Sequence, residues 1–146
     1  MNITRFDSYD ELDKHIGTDR FVDFLHTHLD QFGDPKDAIR NCIDFAFGLN
    51  GGLGGFALAA EDEGELVGAL VMNKTGMKGY IPDNILVYVA VDASKRGKGI
   101  GRQVCERGIE EAEGDVKLHV EYDNPAKRLY ERIGFTNKYA EMRYKK

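Results

Sequence analysis

The amino-acid sequence predicts an α/β fold: a mixed, mostly antiparallel sheet with a central parallel β-α-β crossover, flanked by helices. The run Asn84 to Val91 is too apolar and too rich in β-branched residues for a surface strand, so we expect it at the centre of the sheet. In Gly99 to Ala112, apolar residues recur at helical intervals between polar ones. In Val116 to Glu121, apolar and polar residues alternate, which is typical of a strand with one buried face. Strand, helix and strand in this order predict a right-handed parallel crossover.

Two helices are predicted near the N-terminus. The segments Thr18 to Phe32 and Asp34 to Phe47 each place apolar residues on one helical face, and Gly33 separates them. Asp34 precedes a proline and is therefore predicted to cap the second helix. The first third of the chain is thus expected to be mainly helical.

The remaining elements are a hairpin before the crossover and a helix and a strand after it. Phe56 to Glu61 and Glu65 to Met72 are β-compatible runs, and Asp62-Glu63-Gly64 between them favours an antiparallel hairpin. Asp123 to Ile133 reads as a short capped helix. A last strand is expected near Tyr139 to Tyr144.

Length and composition favour one soluble domain. A chain of 146 residues with 42% hydrophobic and 31% charged residues is expected to form a single domain over residues 1–146. The net charge of −5 disfavours a nucleic-acid partner, which usually requires a basic face. The N-terminus lacks the apolar run of a secretory signal and no stretch suits a membrane span, so a cytoplasmic location without membrane attachment is expected. Cys42 and Cys105 show no metal-ligand spacing, so no metal site is expected.

The loop before the crossover helix carries the most specific chemical signal. Lys95 to Arg102 contains four cations and no acid in a chain that is acidic overall, which favours an anionic partner. The loop lies between a strand and a helix start, where backbone N–H groups and the helix dipole attract anions. Glycines at 97, 99 and 101 let a phosphate approach the main chain closely. An ordinary glycine turn with solvated cations is the simpler alternative.

Two other phosphate motifs fit this loop less well. A P-loop would need a Ser or Thr after the lysine, and none follows Lys98 in that register. The dinucleotide fingerprint is closer, because Glu121 lies at the expected distance after Gly101. The glycines are nevertheless spaced G-x-G-x-G, and the chain is too short for two mononucleotide halves.

Two motifs together identify a family. The segment Val91-x-x-x-x-Arg96-Gly97-Lys98-Gly99-Ile100-Gly101 resembles the acetyl-CoA loop of the GNAT superfamily of N-acetyltransferases. The segment Leu129-Tyr130-Glu131-Arg132-Ile133-Gly134-Phe135 is similar to the C-terminal motif of that family. The resemblance implies a GNAT-like fold and transfer of an acetyl group from acetyl-CoA to a primary amine.

The resemblance also implies cofactor-binding residues. The loop amides would hold the pyrophosphate, the strand before the loop would pair with the pantetheine arm, and the Val89 N–H would stabilise the carbonyl oxygen. Many members have an asparagine seven residues before the tyrosine, whereas here that position is Asp123 and Asn124 is one residue later. The implied residues are Val89, Ala90, Val91, Arg96, Gly97, Lys98, Gly99, Ile100, Gly101, Arg102 and Asn124.

Two catalytic side chains are predicted. Tyr130 matches the family tyrosine that protonates the leaving thiolate, and a phenol has a suitable pKa for that role. Glu121 is the candidate for the base that deprotonates the amine, because it ends a strand whose other face is buried and points the same way as His119.

The acceptor and the assembly are left open by the sequence. The expected acceptor is an amine of a small molecule or a peptide, and a homodimer is compatible with the resemblance. A CoA-binding module without turnover and a nucleotide-binding or interaction domain stay as alternative hypotheses. His26 and His28 are read as packing or surface residues.

Overall fold

A five-stranded mixed sheet forms the centre of the protein. The computed structural model describes all residues from 1 to 146. The strands are β1 (Asn2–Phe6), β2 (Gly55–Asp62), β3 (Glu65–Lys74), β4 (Asn84–Val91) and β5 (Val116–Leu118). They lie side by side in sequence order, antiparallel except for the parallel pair β4 and β5. The predicted central strand, its parallel partner and the mixed sheet are therefore confirmed.

Five α-helices accompany the sheet. They are α1 (Tyr9–His15), α2 (Thr18–Leu29), α3 (Lys36–Ala46), α4 (Ile100–Glu111) and α5 (Ala126–Ile133). A 3-10 turn extends α2 through Asp30–Phe32, so the predicted N-terminal helices and the crossover helix are present close to their expected limits. No helix combines the length and the apolar composition needed to cross a bilayer. No group of three or more His, Cys, Asp or Glu side chains is arranged to hold a metal ion.

The hairpin of β2 and β3 follows the predicted turn chemistry. Glu63 and Gly64 have φ values of 51° and 81°, and they connect the paired residues Asp62 and Glu65. Positive φ at both central residues is the geometry of a tight turn whose twist matches that of the strands.

The two faces of the sheet carry separate apolar cores. One core contains the buried residues of α1, α2 and α3, among them Leu12, Phe21 and Ile43. The other contains residues of α4 and α5, among them Val104 and Tyr130. Along β4, Tyr88 and Ala90 lie in the first core, whereas Val89 and Val91 pack against the second. This division decides from which side a group can approach β4.

The N-terminus holds two elements that the sequence reading did not include. β1 is short, carries a charged residue and forms one edge of the sheet, so it lacks the long apolar run that makes a strand recognisable. α1 does carry a local signal. The Glu11 N–H donates to Ser8 Oγ at 3.2 Å and the Asp7 N–H donates to Glu11 Oε2 at 3.0 Å. This near-reciprocal pair resembles a capping box, and the three-residue spacing of Ser8 and Glu11 is the one that predicts such a box.

The predicted last strand is wrong. Residues 135–146 contain no regular structure, and Tyr139, Met142 and Tyr144 are 79%, 89% and 90% exposed. Alternating apolar residues become a strand only when a neighbouring strand accepts their backbone hydrogen bonds. The nearest edge strand, β5, is three residues long and pairs with β4 alone, so it gives this segment no partner.

Candidate active site

β4 is longer than its parallel neighbour, and this leaves part of one edge open. β5 pairs with β4 only from Asn84 to Leu86, and the Asn84 N–H donates to Asp115 O at 3.0 Å at the start of this pairing. From position 87 to Val91, β4 has no partner strand on that side. The unpaired stretch can therefore accept an extended ligand as an additional strand.

A bulge sets the direction of the free backbone groups. Val71 pairs with Tyr88 and Met72 pairs with Leu86, so Val87 is an extra residue in β4. A bulge of this kind shifts the alternation of backbone hydrogen bonds by one residue and bends the strand. After the bulge, the amides that would otherwise face β3 consequently face the open edge.

The hydrogen bonds to β3 identify which amides face the opening. The Asp92 N–H donates to Val67 O at 3.0 Å, and in an antiparallel pair the backbone groups of every second residue point to the same neighbour. Ala90 therefore turns its backbone toward β3, and its side chain is 5% exposed in the core of α1 to α3. Val89 and Val91 turn their N–H and C=O groups toward the open edge. Two of the three strand residues named from the sequence thus face the opening through their backbone, and Ala90 does not.

The loop after β4 exposes its backbone at two glycines. The chain forms a 3-10 turn over Ala93–Lys95, continues through Arg96, and enters α4 at Ile100. Gly97 and Gly99 have φ values of 81° and 80°, which L side chains rarely adopt, and a Cβ at either residue would meet nothing within 4 Å. The conformation needs glycine, and the space beside both residues is open.

The first turn of α4 is free of competing groups. Gly99 precedes the helix without a capping side chain, and no acidic residue lies in the first turn. The first N–H groups of a helix have no partner within the helix, and the positive end of the helix dipole adds to their attraction for anions. Together with the open loop, these amides have the geometry that can bind a phosphate or diphosphate.

The third glycine and the isoleucine of the motif fix the helix to the sheet. A Cβ at Gly101 would lie 3.2 Å from Leu129 Cδ2 and 3.4 Å from Val91 Cγ2. Ile100 is 8% exposed and belongs to the core of α4 and α5. At these two positions only the backbone is available to a ligand.

The loop cations differ in their engagement. Lys98 is exposed and forms no ion pair within 4 Å. Arg102 bonds to Glu106 on its own helix at 2.7 Å, and Lys95 Nζ lies 3.6 Å from a Glu65 carboxylate oxygen. Arg96 is also exposed and forms no ion pair, but it donates to the backbone oxygen of His28, so Lys98 is the motif cation without a contact of its own in the protein.

A histidine outside the motif holds the loop in place. His28 Nδ1 accepts a hydrogen bond from the Ala93 N–H at 3.1 Å, and Arg96 Nη2 donates to His28 O at 2.7 Å. The C-terminal end of α2 thereby fixes the turn that precedes the loop of residues 96–101. The prediction of His28 as a packing or surface residue did not include this contact, and no local sequence pattern reveals a contact across 65 residues.

Tyr130 lies on α5 with its ring in the core beside α4. It is 8% exposed, and its ring packs edge to face against Phe135 with centroids 6.0 Å apart. Burial raises the pKa of the Tyr130 phenol, and the nearby Cys105 thiol adds to this, so the phenol is protonated at neutral pH. The Tyr130 hydroxyl makes no hydrogen bond within the protein. Only one side-chain oxygen or nitrogen is both fully enclosed and without a partner, and it is Asn73 Oδ1. The Tyr130 hydroxyl oxygen is therefore not fully enclosed and reaches an accessible space.

Glu121 and Asn124 lie in the loop between β5 and α5. Glu121 is exposed and lies three residues beyond Leu118, where β5 ends. The prediction that Glu121 ends this strand is therefore wrong. His119 is also exposed, and partial burial lowers its pKa. Asn124 Oδ1 accepts a hydrogen bond from the Ala126 N–H at 2.9 Å, which leaves its amide nitrogen for other contacts.

Asp34 does not cap α3. Pro35 occupies the position before the helix, and no side chain caps that end. The Asp34 carboxylate instead accepts a hydrogen bond from the Tyr88 hydroxyl at 2.5 Å. An acid followed by a proline is common at helix starts, and this pattern does not show whether the carboxylate turns back to the helix. Asp34 therefore contacts β4 next to the open edge.

Sequence comparison gives a domain match and a distant relative. The acetyltransferase (GNAT) domain matches residues 54–137. A mycothiol acetyltransferase from Catenulispora acidiphila is 37% identical over 68 residues, which cover 43% of this chain and 22% of that protein. The chain therefore matches less than a quarter of the length of this relative.

Solved structures share the fold across nearly the whole chain. An aminoglycoside 6′-N-acetyltransferase from Acinetobacter haemolyticus superposes with a TM-score of 0.68 at 12% identity, covering 100% of this chain and 98% of the other. An aminoglycoside N-acetyltransferase in complex with CoA gives 0.67 at 15% identity, with 99% and 93% covered. The NatC complex bound to Gag peptide and CoA gives 0.69 at 18% identity, with 95% and 87% covered.

The domain match extends over more than half of the chain and includes the glycine-containing loop of residues 96–101, the open edge of β4 and Tyr130. On this evidence the protein belongs to the GNAT family of acetyltransferases.

Proposed function

We propose that the protein transfers the acetyl group of acetyl-CoA to a primary amine of a small molecule or peptide. The observation that carries the proposal is the continuity between the open edge of β4 and the uncapped start of α4. One extended ligand in which a diphosphate is followed by an amide-containing arm matches both parts. CoA has this form.

The proposed cofactor contacts are mainly with the backbone. The amides between Arg96 and Gly101 would bind the diphosphate, and Lys98 would add a positive charge. Arg102 would lie beside the diphosphate while it bonds to Glu106 on its own helix. Val89 and Val91 would pair with the pantetheine arm as a strand partner does. Ala90 would contribute only its position between them, and Asn124 would contact the cofactor through its amide nitrogen.

The proposed reaction uses one backbone group and two side chains. The neutral amine attacks the thioester carbon, and the Val89 N–H stabilises the oxygen as negative charge develops. The carbon–sulfur bond then breaks, and Tyr130 gives its proton to the thiolate and afterwards regains one from solvent. The proton lost by the nitrogen passes to solvent with Glu121 as the candidate base. The accessible hydroxyl of Tyr130 and the free edge at Val89 support these assignments.

The first experiment measures cofactor binding and turnover separately. Acetyl-CoA at about one hundred times its dissociation constant should stabilise the fold by about 2.7 kcal/mol, which for this size corresponds to roughly 5 to 10 °C in Tm. Release of free thiol should then depend on adding the right amine from a broad panel. Stabilisation without thiol release from any amine would favour a CoA-binding module, and stabilisation by NAD but not by CoA would contradict the proposal.

A further inference from the structure

A carboxylate stands beside the open part of β4 on the face opposite Tyr130. Tyr88 is 7% exposed in the core of α1 to α3, and its hydroxyl donates to Asp34 Oδ2 at 2.5 Å. Asp34 itself is exposed and forms no ion pair within 4 Å. A buried hydroxyl therefore fixes an accessible carboxylate whose second oxygen has no protein partner.

A second unpartnered acceptor lies on the same face. Asn73 is 8% exposed, its amide nitrogen lies 3.4 Å from Cys42 Sγ, and its Oδ1 has no hydrogen-bond partner. The Cys42 thiol is close enough to Asp34 for the carboxylate to contribute to raising its pKa, although burial is the main cause. The Asn73–Cys42 pair and the Tyr88–Asp34 pair thus lie on the same side of the sheet, and Asp34 is the exposed acceptor among them.

The charge around Asp34 favours a cation. Arg143 bonds to Glu141 at 2.5 Å and interacts with Asp34 and Glu121 only over a longer range. No protein cation therefore neutralises Asp34 by direct contact. An ammonium group carries three donors and one positive charge, which complements a carboxylate with free acceptor sites.

The position of Asp34 also suits the approach of an acceptor. Tyr88 precedes Val89, whose amide faces the open edge, while Tyr130 belongs to the core on the other face. A thioester lying along this edge would have its leaving group near Tyr130 and its opposite side toward Asp34. We propose that Asp34, held by Tyr88, binds the acceptor as its ammonium ion and so selects cationic primary amines. The bound ammonium gives a proton to solvent before the neutral nitrogen attacks the thioester. This inference rests on the proposed acetyl transfer and names the class of its second substrate.

The test compares amines with alcohols of the same skeleton. Binding of hexylamine, 2-phenylethylamine and 1,5-diaminopentane, each beside the corresponding alcohol, is measured by calorimetry with and without CoA. The wild-type protein should prefer at least one amine to its alcohol by about tenfold, the size expected for a hydrogen bond to a charged group. Asp34→Asn, which keeps the shape and can still accept from Tyr88, should abolish that preference.

Asp37→Asn is the matched control. Asp37 is exposed in the first turn of α3 and makes no hydrogen bond or ion pair, so this variant removes the same charge from the same region. Its preference for the amine should equal that of the wild type. Equal binding of amines and alcohols by the wild type, or an unchanged preference in Asp34→Asn, would overturn the inference. Loss of CoA binding by the wild type would instead contradict the proposed function, because the amine titration without CoA is independent of it.

Discussion

Replacing Tyr130 by phenylalanine separates the proposed chemistry from the packing of the core. The ring lies among the buried residues of α4 and α5, whereas the hydroxyl has no hydrogen-bond partner in the protein. The substitution keeps the ring and removes only the hydroxyl. We expect the free energy of unfolding to change by less than about 1 kcal/mol, which is the contribution of one ordinary hydrogen bond.

Turnover should respond far more strongly than stability. A side chain that acts as a general acid contributes roughly 100-fold to 10,000-fold to the rate, which corresponds to about 2.7 to 5.5 kcal/mol of the activation barrier. Tyr130→Phe should therefore lower kcat by at least 100-fold while binding of acetyl-CoA changes little. The ratio of these two effects distinguishes an acid from a packing residue.

The assay is steady-state thiol release with acetyl-CoA and a confirmed amine, accompanied by thermal unfolding of each variant. Tyr139→Phe is the control, because Tyr139 is 79% exposed in the C-terminal segment and should tolerate the same change without effect. A Tyr130→Phe variant that kept kcat within about twofold would refute the acid role, since the smallest expected loss is far larger. A fall in Tm matching the fall in rate would instead assign the residue to packing.

Three further predictions concern the same site. Because burial raises the pKa of Tyr130 above that of the unfolded chain, its contribution to stability is complete below about pH 10 and is lost at higher pH. Urea unfolding between about pH 9 and 11 should show the wild type losing up to about 1.4 kcal/mol per pH unit more than Tyr130→Phe, and equal slopes would contradict this. Gly99→Ala forces an L side chain into the left-handed region, so it should cost about 1 to 2 kcal/mol of stability and also weaken CoA binding, measured by calorimetry. Gly79→Ala has a similar φ of 97° outside the site, and it should cost as much without affecting CoA. His28→Ala removes a hydrogen bond to the turn that precedes the loop of residues 96–101 and should raise the CoA dissociation constant roughly fivefold, about 1 kcal/mol. His26 makes no hydrogen bond, so His26→Ala should leave the dissociation constant unchanged.

The sequence alone predicted the parts of the site that depend on local geometry. Gly97 and Gly99 indicated a backbone conformation that only glycine adopts easily, and both residues have positive φ. The apolar run of β4 indicated a central strand, and the spacing of apolar residues after Gly99 indicated the amphipathic helix α4. Each of these signals lies within a few turns or one strand, where periodicity and side-chain size are directly readable. The resemblance of two such segments was enough to identify the family.

Only the tertiary structure decided how these parts meet. The extra residue Val87, which turns the amides of Val89 toward the open edge, depends on the register between β3 and β4 and has no counterpart in the composition of either strand. The contact of His28 with Ala93 and that of Asp34 with Tyr88 join residues 65 and 54 positions apart. The segment near Tyr139 has an alternating pattern but no partner strand, so the predicted strand does not form there. Local patterns determine which elements can form, whereas pairing and long-range contacts depend on the free energy of the whole fold, so they determine which of those elements form and which residues surround the site.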